Sequence, residues 1–243
     1  MKTAMNLSKF NNRYILLASL MINVVFITSS FYYVAKHGGV DYFTSKYNNN
    51  SLGTDGYYNL KTSIFSIFNS GKKETVFLGD SITDNCEWHE LFENANIKNR
   101  GIQGDVLQGV LSRIEGITKS KPDKIFLMIG INDLKAKRST TEILKDYATL
   151  VRLIKEQSPN TRLYIESILP RNGKLKAQNS DIRFINKELI ALSLKNNVVY
   201  IDLYNSFADN NGDLKVSYTY DGLHPNGEGY RVWKNKIQNL VIY

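Results

Sequence analysis

The chain has 243 residues, 42% hydrophobic and 22% charged, which suits one sizeable folded domain and excludes a disordered or fibrous class. Four prolines and sixteen glycines fit no collagen-like or low-complexity composition, and one cysteine, Cys86, rules out an intrachain disulfide and a cysteine-based zinc site. The net charge is +8, but Lys2, Lys9, Arg13 and Lys36 lie in a first stretch of 40 residues with no acid, so the remainder carries only +4 and no Lys/Arg run. That distribution predicts no nucleic-acid partner.

Residues 14–35 form a run of 22 without a charge, rich in Ile, Leu, Val and Phe and closed by Phe31, Tyr32 and Tyr33. As a helix it spans roughly 33 Å, enough for a bilayer core, with aromatics at one interface. Three basic residues precede it and one follows closely. The expected arrangement is therefore a cytoplasmic tail (1–13), a transmembrane signal anchor (14–35) and the bulk of the chain outside the cell membrane. A cleaved signal peptide, ending near Thr28-Ser29-Ser30, is the alternative, and would make the protein secreted.

Residues 36–71, with Gly38, Gly39, Asn48 to Asn50, Gly53 and Gly56, read as an extracellular linker that ends in a short amphipathic helix over 61–70. The folded body is expected over 72–243. There, short apolar runs alternate with helical patterns. The runs are Thr75–Leu78, a weaker Ile97–Arg100, Lys124–Ile129, Leu163–Ile168 and Val198–Asp202; the helical patterns cover 141–157 and 181–195. Such alternation predicts an α/β domain, a parallel sheet covered on both faces, with ligands beyond the carboxyl ends of its strands.

Four loops carry reactive groups. Gly79-Asp80-Ser81-Ile82 follows the first run, Gly101 to Asp105 the second, Gly130-Ile131-Asn132-Asp133 the third, and Asp221-Gly222-Leu223-His224 lies near the C-terminus. A serine hydroxyl becomes a competent nucleophile only when a base removes its proton. Of three histidines, His37 lies beside the membrane segment and His89 eight residues past Ser81. His224 has Asp221 three residues earlier, a spacing that lets a tight turn bring carboxylate to Nδ1 and leave Nε2 for the serine. The Ser81 N–H, the Gly104 N–H and the Asn132 amide are candidate donors for a tetrahedral oxyanion. Each fragment alone is commonly just a helix cap or turn. Their order, their place at strand ends and their complementary chemistry together point to acyl transfer. The Gly-x-Ser-x-Gly elbow of the α/β-hydrolases is absent, since Thr83 stands where its last glycine would be.

These four blocks, over roughly 72–243, resemble the SGNH hydrolase or GDSL esterase/lipase superfamily, and Asn99 to Asp105 is similar to its acetylhydrolase branch. The resemblance implies a three-layer α/β/α, flavodoxin-like fold. It implies Ser81 as nucleophile, His224 as base, Asp221 as orienting acid, and Ser81, Gly104 and Asn132 as oxyanion donors, with no cofactor and no metal. The expected activity is a membrane-anchored serine esterase that removes short acyl groups, acetyl above all, from an ester substrate such as an acetylated surface glycan. O-acyl transfer to glycans and lysophospholipid hydrolysis use the same groups and are the alternatives; a binding module without catalysis is the reading from another class.

Outside the four blocks, Trp88 is expected to wall the substrate and Arg100 to meet an anionic part of it. Arg171 is a candidate for the same contact, with solvated surface charge as the default reading of both arginines; Asp202 reads as a structural cap, Asp209 to Asp213 as a turn, and Gly227 and Tyr230 as shaping the segment after His224. Cys86 with His89 is too small a set for a metal.

Overall fold

The computed structural model describes residues 12–36, 56–68, 73–173 and 178–242, and divides the chain into two units, residues 1–53 and 54–243. In the first unit the uncharged run forms helix α1 (Asn12–Lys36). Tyr14–Tyr33 is long and apolar enough to cross a membrane, and its described side chains are all exposed. Its apolar residues are not confined to one face, a pattern shared by membrane-spanning helices and signal sequences.

In the second unit the apolar runs become five parallel strands: β1 (Thr75–Gly79), β2 (Ile97–Gly101), β3 (Lys124–Met128), β4 (Arg162–Glu166) and β5 (Val199–Ile201). Their order is β2-β1-β3-β4-β5, the flavodoxin-like arrangement in which the chain winds first to one side of β1 and then to the other. Helix α2 spans 56–67. It is followed by α3 (Ser81–Asp84), α4 (Trp88–Leu91), α5 (Leu107–Thr118), α6 (Ile131–Lys135), α7 (Thr140–Gln157), α8 (Asn179–Asn196), α9 (Tyr204–Phe207) and α10 (Gly227–Ile242). The α/β fold read from the sequence is the one observed.

The core explains why β1 and β3 are apolar at almost every position. Both are buried along their full length. Phe77, Phe126 and Tyr164 are register partners across β1, β3 and β4, and their rings stack at 5.0 and 4.5 Å. Trp88 lies on Phe77 at 4.0 Å and meets Trp233 of α10 edge-on at 4.9 Å. The expected role of Trp88 is therefore corrected. It is 0% exposed, and its Nε1 donates to the Thr83 carbonyl at 2.9 Å, so it fills the core beneath α3 and has no face for substrate.

Helix α2 begins earlier than expected, at residue 56, because its first turn has partners on the body. The Tyr57 hydroxyl and Lys61 Nζ both reach the Asp84 carboxylate, at 2.7 and 2.5 Å, and the Tyr58 hydroxyl reaches the Gly109 carbonyl at 2.8 Å. The folded unit accordingly includes this helix, which the composition of the sequence places in the linker. Residues 37–55 of that linker, and His37 with them, lie outside the described residues.

Glu166 ends β4 inside the core, where Trp233 Nε1 donates to it at 2.7 Å. Burial, only partly offset by that bond, pushes its carboxyl up to about 8. The folded protein therefore holds a proton that the unfolded chain releases near its ordinary value. Stability from this group is complete below about pH 4.5 and falls as pH rises toward about 8. Glu166→Gln keeps the acceptor and removes the titration, so its melting temperature should change less than that of the wild type between pH 5 and 8, as read by thermal unfolding across that range.

Candidate active site

Ser81 sits where β1 turns directly into α3. Asp80 caps that helix, its Oδ1 accepting the Ile82 N–H at 2.9 Å. The turn is possible because Gly79 has no side chain: a Cβ there would lie 2.2 Å from the Met128 carbonyl and 2.4 Å from Thr83 Oγ1. Asn99 of β2 fixes the exit of the same helix. Its Nδ2 lies within hydrogen-bonding distance of the carbonyls of Thr83, Asp84 and Cys86, at 3.1, 3.0 and 2.9 Å, and its Oδ1 accepts the Gly101 N–H. The Tyr230 hydroxyl donates to the Ile82 carbonyl at 2.8 Å, which ties α10 to α3. Ser81 is thereby held rigidly, 6% exposed.

The Ser81 hydroxyl lies 2.9 Å from His224 Nε2, and His224 Nδ1 lies 2.6 Å from Asp221 Oδ2. The 143 positions that separate Ser81 from His224 are spanned by the sheet. Asp221 is the organiser of its turn. Its Oδ1 accepts the backbone N–H groups of Leu223 and His224, at 2.9 and 2.8 Å, and the Thr219 hydroxyl at 3.2 Å. Partial burial pushes the Asp221 carboxyl up, but the bonds from the His224 ring and from these two N–H groups outweigh it and hold the group well below the usual carboxylate range. This favours the anionic form of Asp221 at neutral pH. Asn172, which carries no signal in the sequence, supports the turn by donating its N–H to the Gly222 carbonyl at 2.8 Å.

The second and third blocks meet beside Ser81's strand. Ile102 donates to the Gly79 carbonyl at 3.1 Å, so the loop after β2 hangs from the residue two before Ser81. Gly104, in the left-handed region at φ 75°, turns this loop, and Asn132 Nδ2 donates to the Asp105 carbonyl at 3.0 Å. Among the described residues, neither the Ser81 N–H nor the Gly104 N–H donates to another protein group.

The aspartates of these blocks are structural. Arg113 binds Asp105 Oδ2 through Nε and Nη2, at 3.0 and 2.8 Å, and Arg138 bridges Asp133 and Asp146 at 2.6 Å each. Asp133, fully buried, also accepts the Leu107 N–H at the start of α5. Burial pushes Asp80 up to about 7, against the pull of the Ile82 N–H and helped by the nearby Asp105 and Asp133.

Other candidates fall elsewhere. Arg100 does not meet the cleft. Its guanidinium lies over the rings of Phe65 and Phe68, at 4.8 and 5.3 Å, and lines a cavity against α2 and α5 that includes none of Ser81, Gly104, Asn132 and His224. Arg171 is buried and bonded to Gln178, not solvated. His89 is half exposed between Glu87 and Glu90. Burial raises the Cys86 thiol to about 12, an inert group. Asp202 accepts the Asn205 N–H as a cap, and Asp209 closes a turn on Asn211 and Asp213.

The GDSL-like Lipase/Acylhydrolase family profile matches residues 77–232, more than half of the chain. The chain belongs to this family. It is therefore a carboxylic ester hydrolase. The chain is 27% identical over 178 residues to the platelet-activating factor acetylhydrolase IB subunit alpha2 of Rattus norvegicus, covering 70% of this chain and 76% of that protein. It is 28% identical over 177 residues to subunit alpha1 of Homo sapiens, covering 70% and 75%. A Streptococcus pneumonia structure described as a platelet activating factor superposes with a TM-score of 0.71 at 25% identity, covering 82% of this chain and 97% of that one.

Asn99→Ala removes the amide that gathers three carbonyls at the end of α3. It should lower stability by about 1–3 kcal/mol and reduce kcat for p-nitrophenyl acetate at least about tenfold, since Ser81 loses one side of its support. Denaturant titration and steady-state kinetics on the same preparation check both.

Proposed function

We propose that Ser81, His224 and Asp221 are the catalytic triad of a serine esterase that removes short acyl groups, acetyl foremost. The observation that carries this reading is the continuous line from Ser81 Oγ through the His224 ring to an anionic Asp221, at 2.9 and 2.6 Å. Asp221 holds the tautomer in which Nδ1 carries the proton and Nε2 is free to accept. Nε2 takes the Ser81 proton as Oγ attacks the ester carbonyl. The N–H groups of Ser81 and Gly104 and the Asn132 amide stabilise the oxyanion that forms. The imidazolium then protonates the leaving alcohol, and an acyl-Ser81 remains. Water, deprotonated by the same Nε2, releases the acid and restores the serine.

The acetyl preference draws support from relatives whose names specify acetyl hydrolysis. For location we propose that α1 anchors the chain in the cell membrane with the catalytic unit outside, because Lys2, Lys9 and Arg13 precede the apolar run. That placement puts acetylated surface glycans within reach as substrates.

Purified full-length protein should hydrolyse p-nitrophenyl acetate faster than p-nitrophenyl esters of long acids. Ser81→Ala should abolish measurable turnover, and Asp221→Asn should lower kcat by about 10³–10⁴ with an unchanged melting temperature within a few degrees. Transfer of acetyl to an added glycan acceptor that outruns release of acetate would replace hydrolysis by acyl transfer. Retained turnover in Ser81→Ala would refute the triad.

A further inference from the structure

A cavity of about 710 Å³ lies between α2, α5 and the β1–β2 pair. Its walls divide by chemistry. Phe65 and Ile117 supply apolar surface, Ser66 and Ser120 hydroxyls, and Arg100, Arg113 and Lys119 three cations, against one lining carboxylate, Glu74. Two of those cations are held in a way that their own protein partners do not explain.

Arg113 has a side chain only 7% exposed. Its Nε and Nη2 are used on Asp105, and Nη2 also reaches the Gly79 carbonyl at 3.2 Å. Its Nη1 is buried with no hydrogen-bond partner. A buried guanidinium N–H without an acceptor carries its full desolvation cost, and native structures seldom leave one so. Arg100 stands beside the same cavity, near enough to Glu74 to feel its charge. Among the described residues it makes no ion pair; its one hydrogen bond goes to the carbonyl of its neighbour Asn99, at 3.0 Å, and the faces of Phe65 and Phe68 hold its plane. Stacking leaves the edge of a guanidinium, where its donors lie, unused.

We propose that this cavity is a binding site for a phosphoryl group, with Arg113, Arg100 and Lys119 as its cationic donors. A tetrahedral phosphate presents acceptor oxygens in several directions, which suits donors arriving from α5 and β2 together. A planar carboxylate would satisfy one guanidinium fork and leave the rest. The volume holds a phosphate with a neighbouring group of glycerol size, and Phe65 and Ile117 offer that neighbour an apolar wall. Two sources share this chemistry, a free phosphate or phosphomonoester and the headgroup of an anionic phospholipid. The site lies apart from the proposed triad yet is wired to it. The Arg113 that would bind the ligand also holds Gly79, two residues before Ser81, and Asp105, the residue after Gly104.

The test uses full-length protein in a phosphate-free, uncharged detergent. Thermal unfolding is followed with added inorganic phosphate, with dihexanoyl-phosphatidylglycerol, and with sodium chloride at matched ionic strength. A ligand at about 100 times its Kd should raise the melting temperature by roughly 5–10 °C over the chloride control. Arg100→Gln and Lys119→Gln should each remove most of that rise. Both should keep their turnover of p-nitrophenyl acetate, so failure here is separable from failure of the esterase reading. A rise with phosphate identifies the free anion as sufficient, and a rise with the lipid alone identifies the headgroup as the source. No rise with either in the wild type, or equal rises in wild type and both variants, overturns the site.

Discussion

Gly79 is the register partner of both Gly101 and Met128, so β1, β2 and β3 end at one level. In a parallel sheet with ends so aligned, the segments leaving those three strands must start side by side. Asp80-Ser81, Ile102 to Asp105 and Ile129 to Asn132 are those segments. The site is in this sense a consequence of sheet register. Gly79 takes part twice, as the last rung of β1 and as the point where the loop after β2 and the guanidinium of Arg113 both attach, through its carbonyl. The fourth segment arrives differently. Thr219 to His224 is a self-contained turn built on Asp221, held against the sheet by Asn172 and by α10, whose Tyr230 bonds back to α3.

Charge burial under these loops is considerable. Asp80, Asp105 and Asp133 are all buried, and two of them carry arginine partners while Asp80 relies on the helix it caps. Such a cluster is weak support for stability, because desolvation offsets the ion-pair attraction. Its effect is geometric. Asp105 is held by Arg113, and Asp133 by Arg138 and the Leu107 N–H, next to Gly104 and Asn132, the residues proposed as oxyanion donors.

The strands are legible in the sequence because buried parallel strands are short and apolar, and β1, β3 and β4 match the predicted runs within two residues. The four blocks are legible for the related reason that loop chemistry at strand ends is local in sequence. The features that escape a sequence reading depend on distant contacts. Trp88 looks the same in sequence whether it faces substrate or Phe77, and only the arrival of Trp233 from α10 decides it. Arg100 reads as a substrate contact because it adjoins the second block, but strand alternation turns it toward α2. Asn99, one residue before it, opens the stretch that resembles the acetylhydrolase branch, but nothing in the sequence shows that its amide organises the end of α3. Helix α5 is hard to see although Leu107, Val110, Ile114 and Ile117 recur at helical spacing, because Gly109 and Gly116 interrupt the pattern. A glycine at the first of these has a physical reason, since a Cβ on Gly109 would lie 1.9 Å from Asp105 Oδ1.

The central claim is that one hydroxyl is activated by one imidazole. The most direct measurement is peptide mapping by mass spectrometry after brief exposure to a fluorophosphonate. The account predicts a single adduct on Ser81 in the wild type and a large loss of labelling rate in His224→Ala with the fold intact. An unlabelled wild type, an adduct on another serine, or an undiminished rate in His224→Ala would contradict it.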